Sequence, residues 1–180
     1  MKLTAMLAAA AACAILTGCE SPTPGLLSAE PVATVEDAAI DPALLGTWQE
    51  PGDHDLTAIV RQGDGGGYQI ALVSGGGLTK FQAALFRVKD AEFLDLSPAD
   101  DDDFRIPGHA IMRVWIDGPA LTWAFLDSAW LKQKAATLAT HTAGDKMQLF
   151  SPTAAVRAFV AAQGADDKAY GQMATWERVQ

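Results

Sequence analysis

Cysteine is scarce in this chain of 180 residues, and neither of its two cysteines lies beyond residue 19. Because Cys13 and Cys19 both fall near the N-terminus, the rest of the chain cannot form a disulfide. Thiolate ligands for a metal ion are excluded there for the same reason. Any domain that follows residue 19 must therefore be held together by noncovalent packing alone.

Positive charge is also scarce, since 13 lysines and arginines stand against 22 aspartates and glutamates, a net charge of −9 at pH 7. The first 18 residues hold one lysine and no acidic residue, so the chain without them carries a charge of −10. An acidic surface repels phosphate backbones. We therefore expect no nucleic-acid partner.

Signals for catalysis and metal binding are weak. The three histidines, His54, His109 and His141, show neither the i, i+4 nor the His-x-His spacing of metal sites. The acidic run at residues 100–103 lacks the alternating ligands of a calcium loop, which favours a solvated loop. Ser74 lacks the Gly-x-Ser-x-Gly context of a hydrolase nucleophile. The sequence thus predicts no metal, no cofactor and no enzymatic activity.

The N-terminus combines Lys2, a short apolar run and a small residue before Cys19. These are the parts of a secretory signal, and the run is too short for a spanning helix of about 20 residues. Its end, Leu16-Thr17-Gly18-Cys19, resembles the lipobox of bacterial lipoproteins. The resemblance implies that residues 1–18 are removed as a signal peptide. It also implies that Cys19 is acylated and attaches the protein to a membrane.

Glu20 follows the cysteine, where an aspartate in this family commonly marks retention at the inner membrane. The resemblance therefore implies lipid anchoring in the outer membrane, with the domain facing the periplasm. Residues 19–40, rich in proline and without periodicity, are predicted to be the acylated cysteine and a flexible tether. The domain is predicted to begin near Asp41, because a capping aspartate before Pro42 favours a helical turn.

The sequence from residue 46 onward predicts short strands separated by turns rich in glycine and proline. The predicted strands are 47–50, 56–62, 68–74, 78–89, 92–96, 110–117, 121–126, 147–150 and 174–179. Alternating apolar residues in 68–72 and 81–85 are expected to face inward. Strands 110–117 and 121–126 are largely apolar on both faces and need an outside cover. Predicted helices at 128–136 and 152–163 would supply it.

The predicted fold of residues 41–180 is therefore mainly β, an antiparallel up-and-down meander curled into a barrel or half-barrel with two covering α-helices. Gly46-Thr47-Trp48, just before the first strand, resembles the opening of lipocalin-like barrels. The resemblance implies that Trp48 closes one end of the barrel, with Arg178 as the counterpart of the C-terminal arginine that lies over it. The segments 93–98, 107–109 and 150–153 are also similar to uncharacterised bacterial envelope lipoproteins.

Two functions are compatible with these patterns. One is a binding module that holds a small apolar ligand or a lipid in a barrel cavity. The other is an accessory lipoprotein with a packed barrel that docks an envelope complex, and the presence of a cavity discriminates between them. The candidate ligand-binding residues are Tyr68, Phe81, His109, Trp115 and Trp123, with His109 expected to form hydrogen bonds at the barrel rim.

Overall fold

The computed structural model describes residues 24, 26–37, 39–99, 108–143, 146–164 and 166–179. The predicted signal peptide, Cys19 and the acidic run at 100–103 lie outside these residues. The strands are β1 (Leu26–Ser28), β2 (Gly46–Gln49), β3 (Leu56–Gln62), β4 (Tyr68–Ser74), β5 (Gly77–Val88), β6 (Ala91–Pro98), β7 (His109–Asp117), β8 (Ala120–Leu126), β9 (Thr140–Ala143), β10 (Lys146–Leu149) and β11 (Tyr170–Arg178). The α-helices are α1 (Ser128–Lys134) and α2 (Thr153–Gln163).

Eight antiparallel strands close into a barrel. Strands β2 to β8 follow one another around its wall, and β11 pairs with both β8 and β2 to complete the circle. Closure removes the unpaired edges that an open sheet would expose. The predicted fold class, a mainly β lipocalin-like barrel with two covering helices, is confirmed.

The period of two along each strand sorts the apolar residues into two clusters. The inner cluster fills part of the barrel and includes Trp48, Ile70, Leu85, Val114 and Trp123. The outer cluster lies between the barrel wall and the helices and includes Phe86, Phe93, Ile111, Ala124 and Val156. The inward faces predicted for 68–72 and 81–85 are confirmed, and so is the need for cover outside β7 and β8.

Both helices form where the sequence predicts, although their bounds differ slightly. α1 ends at Lys134 and continues as a 3-10 turn at Ala135–Thr137, and α2 begins at Thr153, one residue later than predicted. The Asp127 carboxylate accepts a hydrogen bond from the Trp130 backbone N–H at 2.7 Å, which caps α1. In α2, the stripe of Val156, Phe159 and Val160 is buried against the outer cluster, and Gly164 ends the helix. Within the described ranges, no helix is both long enough and apolar enough to cross a bilayer.

One end of the barrel, called the closed end below, is sealed by Trp48 and a 3-10 turn at Pro42–Leu44. Trp48 is fully buried, and its indole N–H donates to the Leu44 carbonyl at 2.9 Å. The Arg178 guanidinium lies 4.3 Å from the Trp48 ring and donates to the carbonyls of Ala43 and Leu45. The predicted placement of Arg178 over Trp48 is confirmed.

The prediction of a flexible tether at residues 19–40 is wrong for residues 26–34, which are packed against the domain. Strand β1 pairs antiparallel with β7, through Ser28 and His109, and parallel with β10, through Leu26 and Met147. Leu26 is 3% exposed and Val32 is fully buried, so residues 26–34 belong to the folded domain. A strand of three residues between prolines is too short to show periodicity, and its burial depends on partners that are distant in sequence.

Candidate functional site

A cavity of about 460 Å³ lies inside the barrel. This volume is within the range of roughly 300 to 1,000 Å³ that is typical of small-molecule sites. Its wall is almost wholly apolar, and among the described residues no charged side chain lines it. The cavity is therefore suited to an uncharged apolar guest, because a charged group there would lose its hydration without gaining a partner.

Small side chains explain why the interior is not filled. Ala58 and Ala110 occupy inward positions on β3 and β7, where neighbouring strands contribute leucines. Small barrels are filled by side chains or hold one ligand, depending on the size of such inward residues. Trp48 and Leu44 close one end of the barrel, and Leu44 also lines the cavity.

The opposite end of the barrel, called the open end below, carries the turns after β2, β4 and β6. Leu56, Leu72 and Phe81 line the cavity near these turns and are only partly buried. Pro24 and Leu27, which precede or belong to β1, line it as well. A guest would therefore reach the cavity past the N-terminal strand and the β4–β5 hairpin.

Three of the five predicted ligand-binding residues lie in the cavity wall, namely Tyr68, Phe81 and Trp123. The Tyr68 hydroxyl accepts a hydrogen bond from the Asp41 backbone N–H at 2.7 Å, and burial raises the pKa of this phenol. Trp123 packs edge-on against Trp176, with ring centroids 5.5 Å apart. In the described part of the chain, the buried indole N–H of Trp123 has no hydrogen-bond partner.

The prediction that Trp115 borders the cavity is wrong. Val114 points into the barrel, so its neighbour Trp115 faces the outer cluster. There it packs edge-on against Tyr170 at 5.5 Å, with the Arg113 guanidinium 4.5 Å from its ring. Burial raises the pKa of Tyr170 to about 12, and its hydroxyl donates to the Gly164 carbonyl at 2.6 Å. Arg113 shares its face of β7 with Trp115, whereas every residue on the other face, which includes Val114, is apolar. This alternation was the sequence signal that places Trp115 outside the barrel.

His109 also lies outside the barrel cavity, contrary to its predicted place among the ligand-binding residues. Its Nδ1 donates to the Asp95 Oδ1 at 2.8 Å, in a groove on the outer surface beside the glycine-rich turn at 63–67. The other carboxylate oxygen accepts hydrogen bonds from the backbone N–H groups of Val32 (2.6 Å) and Ala33 (2.9 Å). The expected hydrogen bonding of His109 is present, but its partner is Asp95, the residue that fastens the N-terminal segment.

Asp95 was not singled out by the sequence analysis, although it interrupts an apolar strand and is 4% exposed. His54 and His141 are exposed. Across the described stretches of the chain, no three His, Cys, Asp or Glu side chains come together in a way that could hold a metal ion. The Asp95 carboxylate is therefore best understood as a clamp for residues 32 and 33.

We expect Asp95→Ala to lower the free energy of unfolding by about 2 to 4 kcal/mol, because it leaves buried N–H groups without an acceptor. Urea denaturation of the variant measures this loss. Asp64→Ala is the matched control, since Asp64 lines the same groove but is exposed. It should change stability by no more than about 0.5 kcal/mol. Equal effects of the two substitutions would contradict the clamp.

Comparisons of the chain with protein-family models, with curated proteins and with solved structures gave no match. The cavity, its apolar wall and its position relative to the N-terminus are therefore the features from which a function can be inferred.

Proposed function

We propose that this protein is a lipoprotein anchored in the outer membrane that binds a small apolar ligand, or the apolar chain of a lipid, within its barrel on the periplasmic side. The observation that carries the proposal is the cavity of about 460 Å³ with its uncharged wall. Burying five methylenes there, at about 0.8 kcal/mol each, supplies about 4 kcal/mol of gross driving force. Part of that energy offsets the cost of association.

The residues that line the cavity support ligand binding rather than catalysis. Among the described lining residues, Tyr68 is the one with an ionisable side chain, and burial raises its pKa. A phenol that stays protonated at neutral pH is not a general base. The lining therefore supplies shape and apolar surface, which are the requirements of a binding module.

The alternative is an accessory lipoprotein whose packed barrel docks an envelope complex. That function requires no interior space, whereas hollowing a core costs stability through lost contacts between side chains. The cavity therefore favours the binding module. If the cavity binds no apolar molecule, the accessory lipoprotein is the better interpretation.

Tryptophan fluorescence can test binding directly, because Trp123 and Trp176 lie in the cavity wall. We expect saturable quenching by a monoacylglycerol that carries bromine at the end of its chain. Trp115→Phe should leave the quenching intact, since Trp115 faces the outer cluster. Trp123→Phe should remove a large part of it. A delipidated protein with neither quenching nor a thermal shift across acyl, isoprenoid and aromatic ligands would refute the proposal.

Filling the cavity should weaken binding without unfolding the barrel. The double variant Ala58→Leu/Ala110→Leu adds volume at two inward positions of the wall. We expect its dissociation constant for the brominated monoacylglycerol to rise at least about tenfold, which corresponds to the displacement of about two methylenes. Ala71→Leu is the control, because Ala71 alternates with the inward residues of β4 and faces out. Unchanged affinity in the double variant would place the ligand elsewhere.

A further inference from the structure

The segment that would connect the barrel to a lipid anchor starts at the open end. Pro24 lines the cavity there, and Leu27 of β1 lines it three residues later. Cys19 precedes Pro24 by five residue steps, which span at most about 18 Å when fully extended. An acylated Cys19 would therefore hold this end of the barrel close to the membrane surface.

The residues after Pro24 cannot lengthen this connection, because several contacts fasten them to the domain. Strand β1 is paired on both sides, and Asp95 holds the backbone of Val32 and Ala33. Asp37 forms an ion pair with Arg157 of α2, with Nη1 and Oδ2 2.5 Å apart. The connection thus ends near Pro24, whereas the sequence alone predicted a tether through residue 40.

The open end also carries exposed apolar side chains. Val73 and Leu78 face each other across the β4–β5 hairpin, and they are 39% and 57% exposed. Their position next to the turn at Gly75 and Gly76 places them at the tip of the barrel. Apolar side chains at a tip that a short connection holds against a bilayer can enter the interface between headgroups and acyl chains.

We propose that the open end faces the bilayer in which Cys19 is anchored, and that the cavity takes its ligand, a single-chain uncharged amphiphile, directly from that bilayer. This inference rests on the proposed binding function and on acylation of Cys19. The uncharged wall accepts the apolar chain, while the headgroup stays at the rim. Asp53 and Asp55, exposed in the turn between β2 and β3, disfavour an anionic headgroup there.

The orientation can be measured with single fluorescent labels, because the mature sequence has no thiol apart from Cys19. The acylated protein would be purified from its own membranes as Leu78→Cys or Asp117→Cys and labelled with an environment-sensitive dye. Asp117 is exposed beside the β7–β8 turn, at the closed end. Each sample is then placed in phosphatidylcholine vesicles that contain lipids with a nitroxide on the headgroup.

We expect the dye at position 78 to lose at least half of its fluorescence and the dye at position 117 to change little. Inserting twenty glycine and serine residues between Ser21 and Pro22 should abolish this difference. The same insertion between Gly65 and Gly66, at the closed end, should preserve it. Equal quenching at both positions, stronger quenching at 117, or failure of the protein to stay with the vesicles would overturn the inference.

Measuring the rate of ligand uptake distinguishes failure of direct uptake from the bilayer from failure of the proposed binding function. Brominated monoacylglycerol is placed in the same vesicles, and the rate at which it quenches Trp123 is measured. This rate should be at least fivefold lower in the variant with the insertion between Ser21 and Pro22 than in the wild type. In detergent, the wild type and this insertion variant should bind the brominated monoacylglycerol with equal affinity. An unchanged uptake rate with normal affinity in detergent would overturn direct uptake alone. Absence of binding in detergent would overturn the proposed function, whatever the orientation of the barrel.

Discussion

Trp48→Ala is expected to lower the free energy of unfolding by about 3 to 5 kcal/mol, the range for emptying a large aromatic site in a core. Trp48 is fully buried at the closed end, where its indole N–H donates to Leu44 and the Arg178 guanidinium covers its ring. The substitution removes the ring over which the Arg178 guanidinium lies, and it removes the hydrogen bond to the Leu44 carbonyl. Guanidinium denaturation, followed by circular dichroism, measures the loss.

The size of this effect matters because domains of this kind are typically stable by only about 5 to 15 kcal/mol. The variant should therefore be partly unfolded under mild denaturing conditions. Trp130→Ala is a suitable control, since Trp130 is only partly buried at the edge of the outer cluster. Trp130→Ala should lower the free energy of unfolding by clearly less than Trp48→Ala does. An unchanged denaturation midpoint in Trp48→Ala would show that the closed end does not stabilise the barrel.

Cys19→Ala should abolish acylation and leave the precursor unprocessed or in the wrong compartment. The thiol of Cys19 is the attachment point that the lipobox implies, and no other cysteine follows it in the sequence. Incorporation of radiolabelled palmitate, together with membrane fractionation, tests this prediction. Even two acyl chains anchor a protein stably, so the variant should leave the membrane fraction if it is processed at all.

Cys13→Ala provides the matched control, because Cys13 lies within the segment predicted to be removed. That variant should incorporate palmitate and fractionate like the wild type. If wild type and Cys19→Ala incorporated equal amounts of palmitate, the lipobox interpretation would be wrong, and the membrane-facing open end would lose its basis.

Local sequence patterns determined most elements of this fold, with β1 and β9 as the strands that they did not predict. Strand positions follow from alternating apolar residues and glycine-rich turns, which act over a few neighbouring residues. The cap at Asp127 and the stop at Gly164 were predicted for the same reason. Trp48 and Arg178 were paired correctly through a resemblance, although 130 positions separate them.

Only the tertiary structure decided which segments that are distant in sequence pack together. Trp115 lies outside the barrel and Trp123 inside it, a difference that the period of two already indicated, because Arg113 shares the face of Trp115. Strand β1 is buried because β7 and β10 provide partners that no local pattern reveals. The Asp95 clamp and the cavity likewise depend on residues that are distant in sequence. Such features arise from the sum of long-range contacts, which a local pattern does not encode.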